Sequence, residues 1–193
     1  SNAQEKDSKK LYADVMKYFI IFCLMIFLAV TLYLDIFKFF IGADFREGLH
    51  IVPIVLMANL FLGVFFNLSI WYKLNDLTRY GAYIALTGAG ITIVLNILLV
   101  PAMGYTGAAW AHFFCYLVMV ILSFVLGRRY YPVPYDLRRI LLYFLIAMLF
   151  FSIEQLVTWP GVYLKWVMNT IWFLAFIVIV VFMEKDIFKK SFQ

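Results

Sequence analysis

Residues 162–183 read VYLKWVMNTIWFLAFIVIVVFM, and Lys165 is the one charged side chain among them. As an α-helix this stretch reaches about 33 Å, against a bilayer hydrocarbon core of about 30 Å. From Ile171 to Met183 the indole N–H of Trp172 is its one side-chain polar group. Working outward, five further segments meet the same standard: 16–34, 51–70, 81–100, 107–126 and 140–158. The connections 35–50, 71–80, 101–106, 127–139 and 159–161 hold most of the punctuation, namely Gly42, Gly48, Pro101, Gly104, Gly127, Pro132, Pro134, Pro160 and Gly161. The fold class is an all-α membrane protein with six transmembrane helices, and residues 4–193 form one transmembrane domain.

Composition points the same way. Of the 193 residues 66% are hydrophobic and 14% charged, with a mean hydropathy of +0.95. A soluble domain averages roughly 45–50% apolar and about 25% charged, so the apolar excess must face lipid. Ser1, Asn2 and Ala3 read as a remnant of tag removal. The charged run Gln4 to Lys10 leads straight into a helix and is no signal peptide, so the native chain is expected to begin upstream. Cys23 and Cys115 both sit in apolar runs and read as inert thiols.

Lysine and arginine set the orientation. With the N-terminus cytoplasmic, 13 cations fall inside: Lys6, Lys9, Lys10, Lys17, Lys73, Arg79, Arg128, Arg129, Arg138, Arg139, Lys185, Lys189 and Lys190. Lys38, Arg46 and Lys165 fall outside, which accounts for all 16. Both termini are therefore expected in the cytoplasm. The net charge of +5 has the same origin and does not signal nucleic acid. Aromatics cluster at the same boundaries, among them Trp71, Tyr72, Tyr80, Tyr130, Tyr131, Tyr135, Trp159 and Trp166, as expected of an interfacial belt.

No catalytic or metal constellation emerges, and no cofactor is implied. His50 and His112 lie at different helix starts without acidic partners, and Ser69, Ser123 and Ser152 lack a paired base. Stripes of small and amide residues stand out instead. Asn59, Gly63 and Asn67 share one helix face, as do Gly81, Ala85, Gly88, Thr92 and Asn96; Gly104, Gly107, Ala108, Ala111 and His112 open the next span. Small residues let helices approach closely in a bilayer and amides can bond across the contact. Two readings stand: a packed bundle, or a polar cavity lined by Asn59, Asn67, Thr92, Asn96 and His112. Spans 16–34 and 162–183 are expected to present mostly lipid-facing surface. Glu154 reads as a snorkelling end-group and Pro53 as a helix-start proline. In the 71–81 connection Lys73, Asp76 and Arg79 either pair with one another, meet an anionic headgroup, or are simply solvated.

The run NILLVPAMGYTGAAWA from Asn96 to Ala111 resembles the polysaccharide flippases of the multidrug and oligosaccharidyl-lipid exporter superfamily, as do REGLHIVPIVL from Arg46 and WYKLNDLTRYG from Trp71. The resemblance covers about residues 10–140 well. It implies a two-lobed architecture of twelve or fourteen helices, of which this chain is similar to the final six. It further implies a lipid-linked oligosaccharide as substrate, moved across the cytoplasmic membrane for surface polysaccharide assembly, with an N-terminal lobe as partner. Alternating access needs two lobes rocking about a midplane site, so these six helices alone are not expected to transport. The last two helices are implied to border a groove for the polyprenyl tail. Two rivals remain: a cation-coupled multidrug exporter of the same superfamily, and a membrane-embedded glycan polymerase or ligase. The exporter needs carboxylates deep in the bilayer, and the enzyme a sizeable external loop.

Overall fold

The computed structural model describes residues 2–39 and 41–185, so Ser1, Lys189 and Lys190 of the reading above lie outside the described residues. The chain is all-helical among those residues. Its elements are α1 (Asn2–Leu32), α2 (Leu34–Phe37), a 3-10 helix (Ala43–Ile51), α3 (Val52–Leu68), α4 (Ile70–Leu74), α5 (Thr78–Met103), α6 (Tyr105–Tyr130), α7 (Leu137–Leu156) and α8 (Val162–Met183). Six helical stretches are long and apolar enough to cross a membrane: Gln4–Leu32, Arg46–Leu74, Thr78–Met103, Tyr105–Tyr130, Leu137–Leu156 and Val162–Met183. Each contains or overlaps one of the segments read from hydropathy. The chain forms two compact units, Ser1–Ile20 with His50–Asp136 and Ile21–Leu49 with Leu137–Gln193.

In the first unit α6 packs against both α3 and α5. The core joins Phe65, Trp71, Tyr72, Ile84, Cys115 and Met119. Glycines of the sequence stripes are contact points, and so is Gly127, expected in a connection but found within α6. A Cβ at Gly88 would come 2.6 Å from Met119 Sδ, and one at Gly127 would come 2.9 Å from the Trp71 ring. Gly107 lies against the backbone carbonyl of Leu99, and Gly63 against Phe19. Ala85, in the same stripe as Gly88, is exposed, so the stripe buries only part of its length.

One boundary differs from expectation. Pro101 was assigned to a connection, yet α5 runs through it to Met103. A proline within the last turn disturbs only the carbonyl of residue 97, close to where the ladder ends anyway. The turn is made by Gly104 alone, at φ +57°, a backbone region glycine enters without steric cost. Pro53 lies in the first turn of α3, where its missing N–H costs nothing.

The second unit holds the C-terminal part of α1, α2, most of the 3-10 helix, α7 and α8. Here the expectation for the first span is corrected. Half of the apolar window of Gln4–Leu32 is buried, against 11% for Val162–Met183. Leu24, Phe27, Leu28, Thr31 and Leu32 are all core residues, and Phe27 meets Phe151 edge-on with ring centroids 5.4 Å apart. Leucine and phenylalanine suit hydrocarbon and protein interior alike, so apolarity in a span cannot say which one they face. α8 behaves as expected, with Asn169 and Phe176 its buried residues.

Candidate functional site

The five cavity candidates all lie in the first unit, and each bonds back into its own helix. Asn59 Nδ2 donates to Val55 O (2.8 Å), Asn67 Nδ2 to Gly63 O (3.1 Å) and Asn96 Nδ2 to Thr92 O (2.7 Å). Thr92 Oγ1 donates to Gly88 O at 2.9 Å. His112 Nδ1 lies 2.9 Å from Ala108 O. A carbonyl only accepts, so this bond places the imidazole proton on Nδ1 and leaves Nε2 as an acceptor in the neutral ring. Bonding across helix contacts, one use weighed for the amides, is not how these residues are held. The carbonyl one turn back is already within reach, and short polar side chains take it.

Helix register brings three of the five to one level. Along the stretch Arg46–Leu74, which joins α3 and α4, Phe61 meets Phe113 and Trp71 Nε1 donates to Ser123 Oγ, both partners being on α6 and 52 residues away each time. In the α5–α6 hairpin Gly107 meets Leu99, and Gly88 meets Cys115 and Met119. Asn59, Asn96 and His112 therefore fall at nearly the same height, about 10 Å along the helices from the Gly104 turn. Asn59 and His112 are exposed on the unit and Asn96 is half-buried. Thr92 lies about one turn farther from Gly104, and Asn67 about two.

The 71–81 connection is built differently from a solvated turn. Trp71, read as an interfacial belt residue, is 2% exposed, stacked on Tyr130 at 5.6 Å with the planes 7° apart. Gly127 leaves the room for its ring. Lys73, Asp76 and Arg79 are exposed, and no ion pair joins them among the described residues. Asp76 adopts φ +53°, and Arg79 lies over the Tyr80 ring, 5.8 Å from its centroid.

The second unit pairs ionisable groups that the sequence reading left unconnected. Lys165 Nζ bridges Asp35 (2.6 Å) and Glu154 (3.0 Å), and Lys38 also pairs with Asp35. Hydrogen bonds from Lys165 and then Lys38 hold the Asp35 carboxyl below the usual carboxylate range. Glu154 is 6% exposed and also accepts from Gln155, so it is a buried ion-pair partner rather than a snorkelling end-group. One turn along α8, Asn169 is 0% exposed and donates to Leu32 O, and Thr170 meets the Tyr33 hydroxyl at 2.7 Å. At the other end of α7 and α8, Glu184 accepts from Tyr143 at 2.7 Å and lies 3.4 Å from Arg139. The signal was present in the numbering: 154 with 165 and 139 with 184 are spaced almost symmetrically about the α7–α8 turn, so a helical hairpin brings each pair together.

Chemically, each of these carboxylates is ion-paired with a cation, and Glu184 also accepts from a phenol. The hydroxyls of Ser69, Ser123 and Ser152 serve Phe66 O, the Trp71 ring and Met148 O respectively. Among the described residues no group of His, Cys, Asp and Glu is placed to hold a metal ion. No family model, curated protein or solved structure matches the chain.

Proposed function

We propose that this chain is the C-terminal six-helix lobe of a transporter that flips polyprenyl-diphosphate-linked oligosaccharide across the cytoplasmic membrane. The observation that carries the reading is the level shared by Asn59, Asn96 and His112. These are polar side chains a third of the way into helices long enough to span a bilayer, and two are exposed on the unit that bears them. Bonding to its own backbone satisfies one N–H of each amide and leaves its oxygen and second N–H to be matched. Hydrocarbon would leave those groups unpaired at a cost of roughly 1–3 kcal/mol each, so polar residues in spans usually face protein or a water-filled path. A second lobe across a hydrated cavity supplies that environment, and sugar hydroxyls match amides and an imidazole acceptor.

Two further features support the reading. The bare surface of α8 suits an isoprenoid tail that stays in lipid while the glycan crosses. The distribution of cations favours both termini in the cytoplasm. Within this mechanism no bond is made or broken; the work is binding followed by rocking of the lobes.

The test places Asn59→Leu and Asn96→Leu in the two-lobed parent protein, in a cell whose own flippase is deleted. Surface glycan should fall several-fold at unchanged membrane abundance of the transporter. Deleting the parent should leave lipid-linked glycan on the cytoplasmic leaflet. Unpolymerised glycan on the outer leaflet would instead assign the chain to a polymerase and sink the flippase reading.

A further inference from the structure

We propose that Arg79, Arg129 and the paired hydroxyls of Tyr80 and Tyr130 form a clamp for the phosphate of an anionic phospholipid in the surrounding bilayer. The two phenol oxygens lie 2.7 Å apart. In such a pair one O–H donates to the other oxygen, so the second O–H remains available as a donor. Arg79 lies over the Tyr80 ring and Arg129 over the Tyr130 ring, at 5.8 and 6.0 Å. The Tyr80 and Tyr130 rings are 5.2 Å apart, so two cationic forks and one spare O–H flank a single pair of rings. A phosphodiester carries one charge and two acceptor oxygens that such a set matches.

The platform beneath is built rather than incidental. Tyr130 is stacked on Trp71, which is itself buried and anchored to Ser123. Both arginines are exposed, and Asp76, the carboxylate nearest Arg79 on the α4–α5 turn, forms no ion pair with it among the described residues. Position names the occupant. Tyr80 and Tyr130 lie at the ends of the spans Thr78–Met103 and Tyr105–Tyr130, which is where headgroups sit, and tyrosine is suited to that depth. This inference rests on the spans crossing a bilayer and is independent of the flippase reading.

The test uses the whole chain in phosphatidylcholine vesicles, with brominated phosphatidylglycerol or brominated phosphatidylcholine as quenchers of tryptophan fluorescence. The wild type should prefer the anionic lipid. The pair R79Q/R129Q should reduce that preference about fivefold for each arginine. The pair K73Q/R128Q removes the same charge from the same end and should change it less than about twofold. Y80F/Y130F keeps rings and charges but removes both hydroxyls, and should lower the preference about threefold. If R79Q/R129Q fails to fold, as judged by helical circular dichroism, R79K/R129K keeps the charge and loses the forks, and should show a partial loss. Equal losses for the two glutamine pairs, an unchanged preference in R79K/R129K, or displacement of the lipid by excess inorganic phosphate would each overturn the proposal.

Discussion

Gly107→Ala tests the packing logic of the first unit most directly. Gly107 is buried in the first turn of α6. A methyl group there would lie 2.6 Å from the carbonyl carbon of Leu99 and against its oxygen, where ordinary contact begins at 3.4 Å. The shortfall is about 0.8 Å, and the obstacle is helical backbone rather than the end of a flexible side chain. α5 and α6 must therefore part near their turn, loosening the contacts made by their neighbours. Overpacking of this kind costs about 1–3 kcal/mol. Gly90→Ala is the control, because Gly90 has open space where its Cβ would go and alanine is better than glycine within a helix by about 1 kcal/mol. The two single-methyl substitutions should thus differ by about 2–4 kcal/mol in opposite directions. Purified protein in mild detergent, unfolded by a denaturing detergent and followed by circular dichroism, gives both numbers. If Gly107→Ala is as stable as the wild type, or Gly90→Ala is equally damaging, close backbone approach is not what holds this hairpin.

Other expectations concern polar groups. Lys165→Met leaves Glu154 buried without its cation and should cost about 3 kcal/mol, the lower end for a broken buried pair because Lys165 is partly solvated; adding Glu154→Gln should recover much of the loss in the same unfolding assay. Asp35 has a carboxyl held below its unfolded value by Lys165 and Lys38, so its contribution is present above about pH 4 and fades as pH falls through the folded pKa. Wild-type unfolding midpoints should drop across that acid range, and Asp35→Asn should flatten that part of the profile. Ser123→Ala strands the buried Trp71 N–H and should cost about 1–3 kcal/mol, with a shift in tryptophan emission; an unchanged midpoint would show that the 3.2 Å bond contributes nothing. Reporter fusions after Arg79 and Arg139 should read cytoplasmic and one after Gly104 external, and an external signal from the 127–139 connection would overturn the orientation.

The six spans were legible because a bilayer imposes a length on any helix that crosses it, and composition over about twenty residues is a one-dimensional property. Glycine at 88 and 107 marked close approach for a similar reason: a missing Cβ is visible in the sequence, and its use in a membrane is narrow. The partner of each glycine was not visible. Whether Gly127 accommodates a lipid, a helix or the ring of Trp71 depends on which helices are neighbours, and α6 meets both α3 and α5.

The same limit explains the misreadings. The first span and the last have equally apolar sequences, yet one lines a core and the other is mostly exposed, because the hydrophobic effect does not discriminate between lipid and protein. Trp71 has the composition of a belt residue but becomes a buried anchor once Ser123 and Tyr130 arrive from α6, some fifty residues away. The amides at 59 and 96 and the imidazole at 112 announced polarity within the bilayer by residue type alone. Their common level came from the parallel register of α3 with α6 and the tight turn at Gly104. Residue chemistry is carried by the chain locally, and so the sequence by itself determined what lies in the membrane. Which side chains meet was decided by the tertiary structure, since that depends on distances between segments that no local pattern encodes.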